Sequence, residues 1–291
     1  MTIARCDGLV TRQQMTEEEL QSLSILVDLC NLYEGLDVKI SWDLLRAREG
    51  DTTGDFLFFR DGALVGYAAL DGFRRSFETT GVVHPDYRRR GIFRELFAAA
   101  VREARRRDAQ QMLLVCERAS ASGQAFVAAT GARYTTSEYR MVRDAAVEPP
   151  VADGPIQLRE AGAGDVDLLI HLHVRSFDES EQAARQYVLY DLAEVDSRAY
   201  IALLDGEPIG KIGVVVEAQG AYLRAFGVLP EHRGRGYGRQ ILAATIRRML
   251  DEGRPNLVLE VATDNRNALG LYQSCGFRET TVYDYFAVDL R

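Results

Sequence analysis

The chain has 291 residues, 47% hydrophobic and 27% charged, with a formal net charge of −8. That length is comfortable for two domains, and the composition excludes a disordered chain. The acidic balance argues against a general nucleic-acid binder, which would be basic; it suits a cationic substrate or plain solubility.

No apolar stretch nears the ~18 residues of a membrane span. The opening MTIARCDGLV has no signal-peptide core. Cys6, Cys30, Cys116 and Cys275 lie far apart with no C-x-x-C pair, so they read as free thiols in a reducing cytoplasm. Trp42, in ISWDLL, reads as core. Residues 58 to 70, FFRDGALVGYAAL, read as strand, Asp-Gly turn, strand: a β-hairpin. VVHPDYRRRGIFRELFAAAV (82 to 101) runs from a strand through a turn into a helix. The basic end of that helix, REARRR (102 to 107), complements its dipole. QMLLVC (111 to 116) is a further strand, and ATGARY (129 to 134) a glycine turn.

RDAAVEPPVADGP (143 to 155) breaks all periodicity, as a linker does. Beyond it the same order returns. IQLREA opens as a strand, and Asp165 is placed to N-cap the helix VDLLIHLHVRSF. ALLDGEPIGKIGV (202 to 214) repeats the hairpin. GVLPEHRGRGYGRQILAATI (227 to 246) parallels residues 82 to 101, with Pro230 matching Pro85 and Gly236 matching Gly91. NLVLEV (256 to 261) and SCGFRE (274 to 279) repeat the last two features. The preserved order marks a duplication. The expected division is residues 1–148, a linker at 149–155, and residues 156–291. Each half is mixed α/β.

The turn RGRGYG (233 to 238) carries the main chemical signal. Ile241, Leu242, Thr245, Ile246, Met249 and Leu250 mark a helix after it, stopped by Gly253 and Pro255. Glycine inside a helix costs about 1 kcal/mol. Three glycines at a helix start leave the backbone open to a close-approaching group. Free N–H groups there favour an anion, above all a phosphate, with arginines at the rim. The spacing is neither that of a P-loop nor that of a Rossmann loop. A glycine-rich helix start with nothing bound is the plain alternative.

RGRGYG also matches the [RQ]-x-x-G-x-[GA] pattern of the GCN5-related N-acetyltransferase (GNAT) superfamily. LEVATDNRNALGLYQSCGF (259 to 277) resembles that family's following segment, through Asn265, Ala268, Tyr272, Gly276 and Phe277. The resemblance covers residues 156 to 291. It implies two tandem domains, each a mixed, mostly antiparallel sheet flanked by helices. It also implies acetyl-CoA as co-substrate, with its pyrophosphate on Arg233, Gly234, Arg235, Gly236, Tyr237, Gly238 and Arg239. Phe226 and Val228 would offer main-chain groups to the acetyl and pantetheine amides, and Asn265 would contact CoA from a helix start. Tyr272 stands at the general-acid position. Glu260 matches the base of the ribosomal-protein alanine N-acetyltransferases. The alternatives are a packed tyrosine, a solvated or salt-bridged glutamate, and a plain N-cap. Glu231 is a rival base that points outward.

The resemblance weakens in the first half. RRRGIF (88 to 93) keeps Arg88 and Gly91, but Phe93 replaces the second small residue. Val115, Val127 and Ser120 stand where Glu260, Tyr272 and Asn265 stand. Glu117, two residues on, faces the same side of its strand as Val115. This half reads as catalytically degenerate, on the plan of tandem members such as the mycothiol synthases. No metal is expected, since His171 and His173 are two apart on a helix and do not face each other. DESE (178 to 181) lies where an acceptor loop would be and reads as a solvated turn. Two function classes follow. One is an enzyme moving acetyl to a small-molecule or peptide amine by direct attack in a ternary complex. The other is a non-catalytic CoA-binding sensor or scaffold. No nucleic-acid or membrane partner is expected.

Overall fold

The computed structural model describes residues 7–48, 52–73, 76–151, 153–194, 196–217 and 219–290. Cys6 lies outside the described residues. Packing divides the chain into two compact units, residues 1–138 with 281–291, and residues 139–280. The repeat divides the chain at 149–155, and the packing units do not coincide with it. The reason is that the strand closing the second repeat packs in the first unit.

The first unit begins with β1 (Gly8–Arg12), α1 (Glu17–Glu34) and α2 (Trp42–Ala47). Thr16 and Glu19 start α1 with a reciprocal capping box, and Gly35 ends it in the left-handed region. β2 (Asp55–Arg60) and β3 (Ala63–Phe73) form the expected hairpin. Its Asp61-Gly62 turn has φ of +50° and +74°, the conformation that matches strand twist. β4 (Ser76–Val83), α3 (Ile92–Arg106), β5 (Gln111–Glu117), α4 (Ala121–Thr130) and the start of β6 (Arg133–Arg143) follow. The sheet runs β1-β2-β3-β4-β5, antiparallel except for the parallel pair β4–β5.

The last strand, β12 (Phe277–Asp289), completes this sheet. It pairs antiparallel with β5 from Tyr283↔Glu117 to Asp289↔Gln111. Tyr283, Tyr285 and Ala287 are buried there. One apolar core lies between the sheet and α3, built on Phe56, Phe58, Phe77, Leu96 and Met112. A second lies under α1, around Leu23, Leu57, Phe59 and Tyr67.

The second unit has β7 (Ile156–Glu160), α5 (Val166–Phe177), α6 (Glu181–Ala193), β8 (Ser197–Leu204), β9 (Glu207–Val216), β10 (Gly220–Val228), α7 (Tyr237–Asp251), β11 (Asn256–Ala262) and α8 (Arg266–Ser274). The order is β7-β8-β9-β10-β11-β6, and the one parallel pair described is β10–β11. The Asp205-Gly206 turn repeats the first hairpin, with φ of +52° and +86°. The α7 stripe is buried as its spacing requires, with Thr245 returning its hydroxyl to the Ile241 carbonyl at 2.9 Å. Asp165 does not cap α5 with its side chain. A 3-10 turn intervenes, and the carboxylate binds Arg159 and the Gly162 N–H, both at 2.8 Å. That pairing holds the carboxyl down at about 2. No described helix is long and apolar enough to cross a membrane.

Removal of residues 281–291 strips Tyr283, Tyr285 and Ala287 from β5. Burial of each tyrosine contributes roughly 2 kcal/mol. Their loss takes a large share of a domain's ~5–15 kcal/mol. Calorimetry of a chain ending at Thr280 is expected to show the first unit's transition lost and the second unit's retained. Two undiminished transitions would refute this account of the strand.

Candidate active site

In the second unit β10 and β11 pair from Gly220↔Asn256 to Leu223↔Leu259. There pairing stops, although β10 runs on to Val228 and β11 to Ala262. On its other edge β10 stays on β9, with one extra residue between Arg224↔Gly213 and Gly227↔Lys211. Ala225 in this bulge has φ +46°, uncommon for a residue with a Cβ. Residues 224–228 therefore face β11 without a ladder partner. The first unit splays too, its β4–β5 pairing ending at Thr79↔Leu114. Its β3–β4 register, however, is regular from Gly66↔Val83 to Phe73↔Ser76.

Beyond the splay the chain turns into α7. Arg233 ties this turn down: Nε donates to the Val228 carbonyl at 2.8 Å and Nη2 to the Ser176 carbonyl at 2.7 Å. Its guanidinium is thus engaged by the fold, and so is the Val228 carbonyl. Arg88 repeats the clamp in the first unit, donating to the Val83 carbonyl at 3.0 Å. Gly234 and Gly236 have φ of +73° and +79°, yet a Cβ on either would meet nothing within 4 Å. The left-handed backbone alone is enough to favour glycine at both positions, and the space in front of them is open. Gly238 is different. It lies inside α7, where a Cβ would come 3.3 Å from Leu271 and 3.7 Å from Phe226. No side chain caps α7 at Gly236, so its first N–H groups face outward at the positive end of the helix. Arg235 and Arg239 are exposed beside it, and the Tyr237 ring lies 6.2 Å from His232.

Tyr272 sits on α8, 8% exposed, with its ring 6.3 Å from Phe226 and 6.1 Å from Phe277. Burial pushes its phenol up to about 12, so it is a protonated donor at neutral pH. No described residue hydrogen-bonds its hydroxyl. Leu257, Leu259 and Val261 share a core with Tyr272. Glu260 alternates with them along β11, so it projects from the opposite face of that strand, half-buried. The structure thus groups Tyr272, Phe226 and Gly238 and leaves Glu260 across the strand. Asn265 caps α8, accepting from the Ala268 N–H at 3.1 Å. Glu231 points out and pairs with Arg175 at 3.1 Å.

On the face of α5 and α6 lie two buried bases, His173 and Lys211, of which sequence reasoning missed Lys211. Lys211 pairs with Gly227 at the bulge, is 4% exposed, and lies 5.5 Å from the Tyr187 ring centre. Burial lowers its ammonium to about 8. Burial, then Lys211, lowers His173 to about 4. A lone lysine inside PIGKIGVVV was the available signal. His171 is exposed where His173 is buried, so the two face apart.

In the first unit the turn keeps its shape. Gly91 starts α3 at φ +83° with no side-chain cap, and Arg89 occupies the Gly234 position at φ +63°. The bulky Phe93 at the Gly238 position is matched by Gly81 at the Phe226 position. A Cβ on Gly81 would come 2.8 Å from the Phe93 ring. Ring and glycine have changed places.

The sequence model of the Acetyltransferase (GNAT) family matches residues 18–131 and again 166–277. A mycothiol acetyltransferase of Thermomonospora curvata is 29% identical, the alignment covering 94% of this chain and 95% of that protein. One of Streptomyces griseus is 28% identical over 80% of each. A GCN5-related N-acetyltransferase structure from Sphaerobacter thermophilus superposes with a TM-score of 0.81 at 19% identity, covering 98% and 97% of the two chains. A tandem GNAT protein from the clavulanic acid biosynthesis pathway gives 0.72 at 18%, covering 97% and 98%. These two show a shared fold.

If φ selects glycine in these turns, Arg89→Gly relieves the first unit and Gly234→Arg burdens the second. Each effect is expected near 1 kcal/mol, of opposite sign, in urea unfolding. Destabilisation by Arg89→Gly would contradict the conformational account.

Proposed function

The chain belongs to the Acetyltransferase (GNAT) family, and on that premise we propose an N-acetyltransferase whose second unit does the chemistry. The group moved is acetyl from acetyl-CoA, and the acceptor is a primary amine of a small molecule or peptide. The observation that carries this reading is Tyr272, a protonated phenol 8% exposed, beside Phe226 where β10 leaves β11.

The uncapped start of α7 receives the pyrophosphate, through main-chain N–H groups of residues 236–239, with Arg235 and Arg239 adding charge. Arg233 acts indirectly, holding the turn on Val228. The unpaired edge of residues 224–228 supplies amide partners to the pantetheine arm, as a missing strand would. Glu260, on the other face of β11, takes the proton from the ammonium form of the acceptor. The free amine attacks the thioester carbonyl and the C–S bond breaks. Tyr272 gives its proton to the departing sulfur and regains one from solvent. Acid and base on opposite faces of one strand keep the two proton transfers apart. Each contributes roughly 10²–10⁴-fold. Buried free thiols at Cys30, Cys116 and Cys275 fit a cytoplasmic setting and take no part in the reaction.

The test is thiol release from acetyl-CoA against a panel of primary amines. Tyr272→Phe is expected to leave acetyl-CoA affinity unchanged and lower kcat about 10²-fold. With the phenol near 12, wild-type kcat should hold on the alkaline side and fall only as pH approaches that value. Glu260→Gln should lower kcat with the KM for acetyl-CoA intact. Full activity in Tyr272→Phe would refute the general-acid role, and acetyl-CoA binding without thiol release for any amine would leave a CoA-binding module instead.

A further inference from the structure

The first unit holds a cavity of about 610 Å³, within the range that encloses drug-sized ligands. It opens where β4 leaves β5, between α1, the start of α3 and α4. Ile92, Phe93, Leu114, Phe126 and Val127 make much of its wall apolar. Glu117 lies at the end of β5 and lines the same space, only 8% exposed. Its carboxylate accepts from the Asp37 N–H at 2.8 Å and the Thr281 hydroxyl at 2.6 Å, both neutral donors. An ionised carboxylate has about four acceptor positions. Among the described residues no cation comes within 4 Å to fill the rest.

Arg89 and Arg94 line the cavity at the turn and the start of α3, and three other cations near Glu117 are committed elsewhere. Arg88 pairs with Glu34 at 2.7 Å, Arg118 with Asp284 at 2.7 Å, and Lys39 bonds the Tyr285 hydroxyl at 2.6 Å with Glu138 at 3.6 Å. Burial raises the Glu117 carboxyl above its ordinary value, and the charges of Asp37 and Glu34 add to that. The duplication supplies an internal control. Ala262 stands at the matching place on β11, and that strand forms without a carboxylate. Strand geometry therefore does not require a carboxylate at this place. A buried carboxylate without a cation is costly, and the cost is recovered when a cation arrives.

We propose that this cavity is a second ligand site, which takes a primary amine with an apolar body and seats its ammonium on Glu117. The ammonium forms charge-assisted bonds to the open carboxylate positions. The body lies along Phe93 and Phe126, whose rings meet edge to face at 4.7 Å. The site is separate from the chemistry of the second unit.

The experiment titrates three probes of one shape into the full chain by calorimetry: 2-phenylethylamine, 2-phenylethanol and 3-phenylpropionate. The amine is expected to bind, with the alcohol and the carboxylate weaker by tenfold or more, about 1.4 kcal/mol. Glu117→Gln, which keeps the shape and removes the charge, should weaken the amine by a similar factor. Leu36→Trp narrows the cavity from its loop wall and should abolish binding without touching the carboxylate. It carries the test if Glu117→Gln fails to fold. A Gly236→Trp chain, blocked in the second unit, should bind the amine as the wild type does. Equal binding of alcohol and amine, or amine binding unchanged in Glu117→Gln and Leu36→Trp, would overturn the proposal. So would a cavity that acetyl-CoA fills and the amine does not enter.

Discussion

The chemistry proposed for this protein depends on one place where hydrogen bonding stops. Two parallel strands begin as a normal ladder and then part, at Leu223↔Leu259 in the second unit and at Thr79↔Leu114 in the first. A sheet interior does not leave backbone amides unpaired without a partner to receive them. The parting is held open from several sides. β10 is kept on β9 by continued pairing beyond a bulge. The turn that follows is tied to the strand end by an arginine. The helix after the turn presents its own unsatisfied N–H groups. Ladder edge and helix start lie within one short stretch, residues 224–239, and the co-substrate proposed above would use both.

The local parts of this arrangement were legible in the sequence. Asp-Gly hairpins, the glycine turn and the α7 stripe are each decided within a few residues, by turn chemistry or by period. Tyr272 and Asn265 were located through the resemblance of residues 259 to 277 to the family's segment. What sequence reasoning missed is non-local. The bulge residue at positive φ, Ala225, is not a glycine. Arg233 reads as a ligand for phosphate until its two carbonyl acceptors, Val228 and Ser176, are seen. Glu117 reads as a conceivable shifted base, and nothing in its neighbourhood along the chain points to Asp37 and Thr281 as its partners. The partner of the last strand is invisible too, because an alternating strand fits any open sheet edge of suitable pattern.

The duplication makes the molecule its own comparison. Phe93 reads as a loss when set beside Gly238 alone. With Gly81 opposite Phe226 it becomes an exchange of volume across one contact, which cores tolerate better than a simple addition. The first unit has therefore been repacked rather than eroded. Its turn keeps its shape, its arginine clamp and its uncapped helix. It has lost the bulge and the tyrosine. The remaining space is shaped by a ring from the helix side instead of the strand side, and Glu117 is added at its inner end. Those differences describe a site changed in purpose.

Residues 281–291 are synthesised after the whole second unit, yet they close the sheet of the first. At a ribosome adding ~5–20 residues each second, residues 1–138 wait for the last 153 before their sheet is finished. During that interval β5 carries an open edge, the kind of surface that templates pairing with other chains. The second unit needs no such late arrival beyond residue 280 and has the more local contacts to form. Synthesis from the N-terminus thus runs opposite to the order of completion, and the half made first is the half most exposed to aggregation and to chaperones.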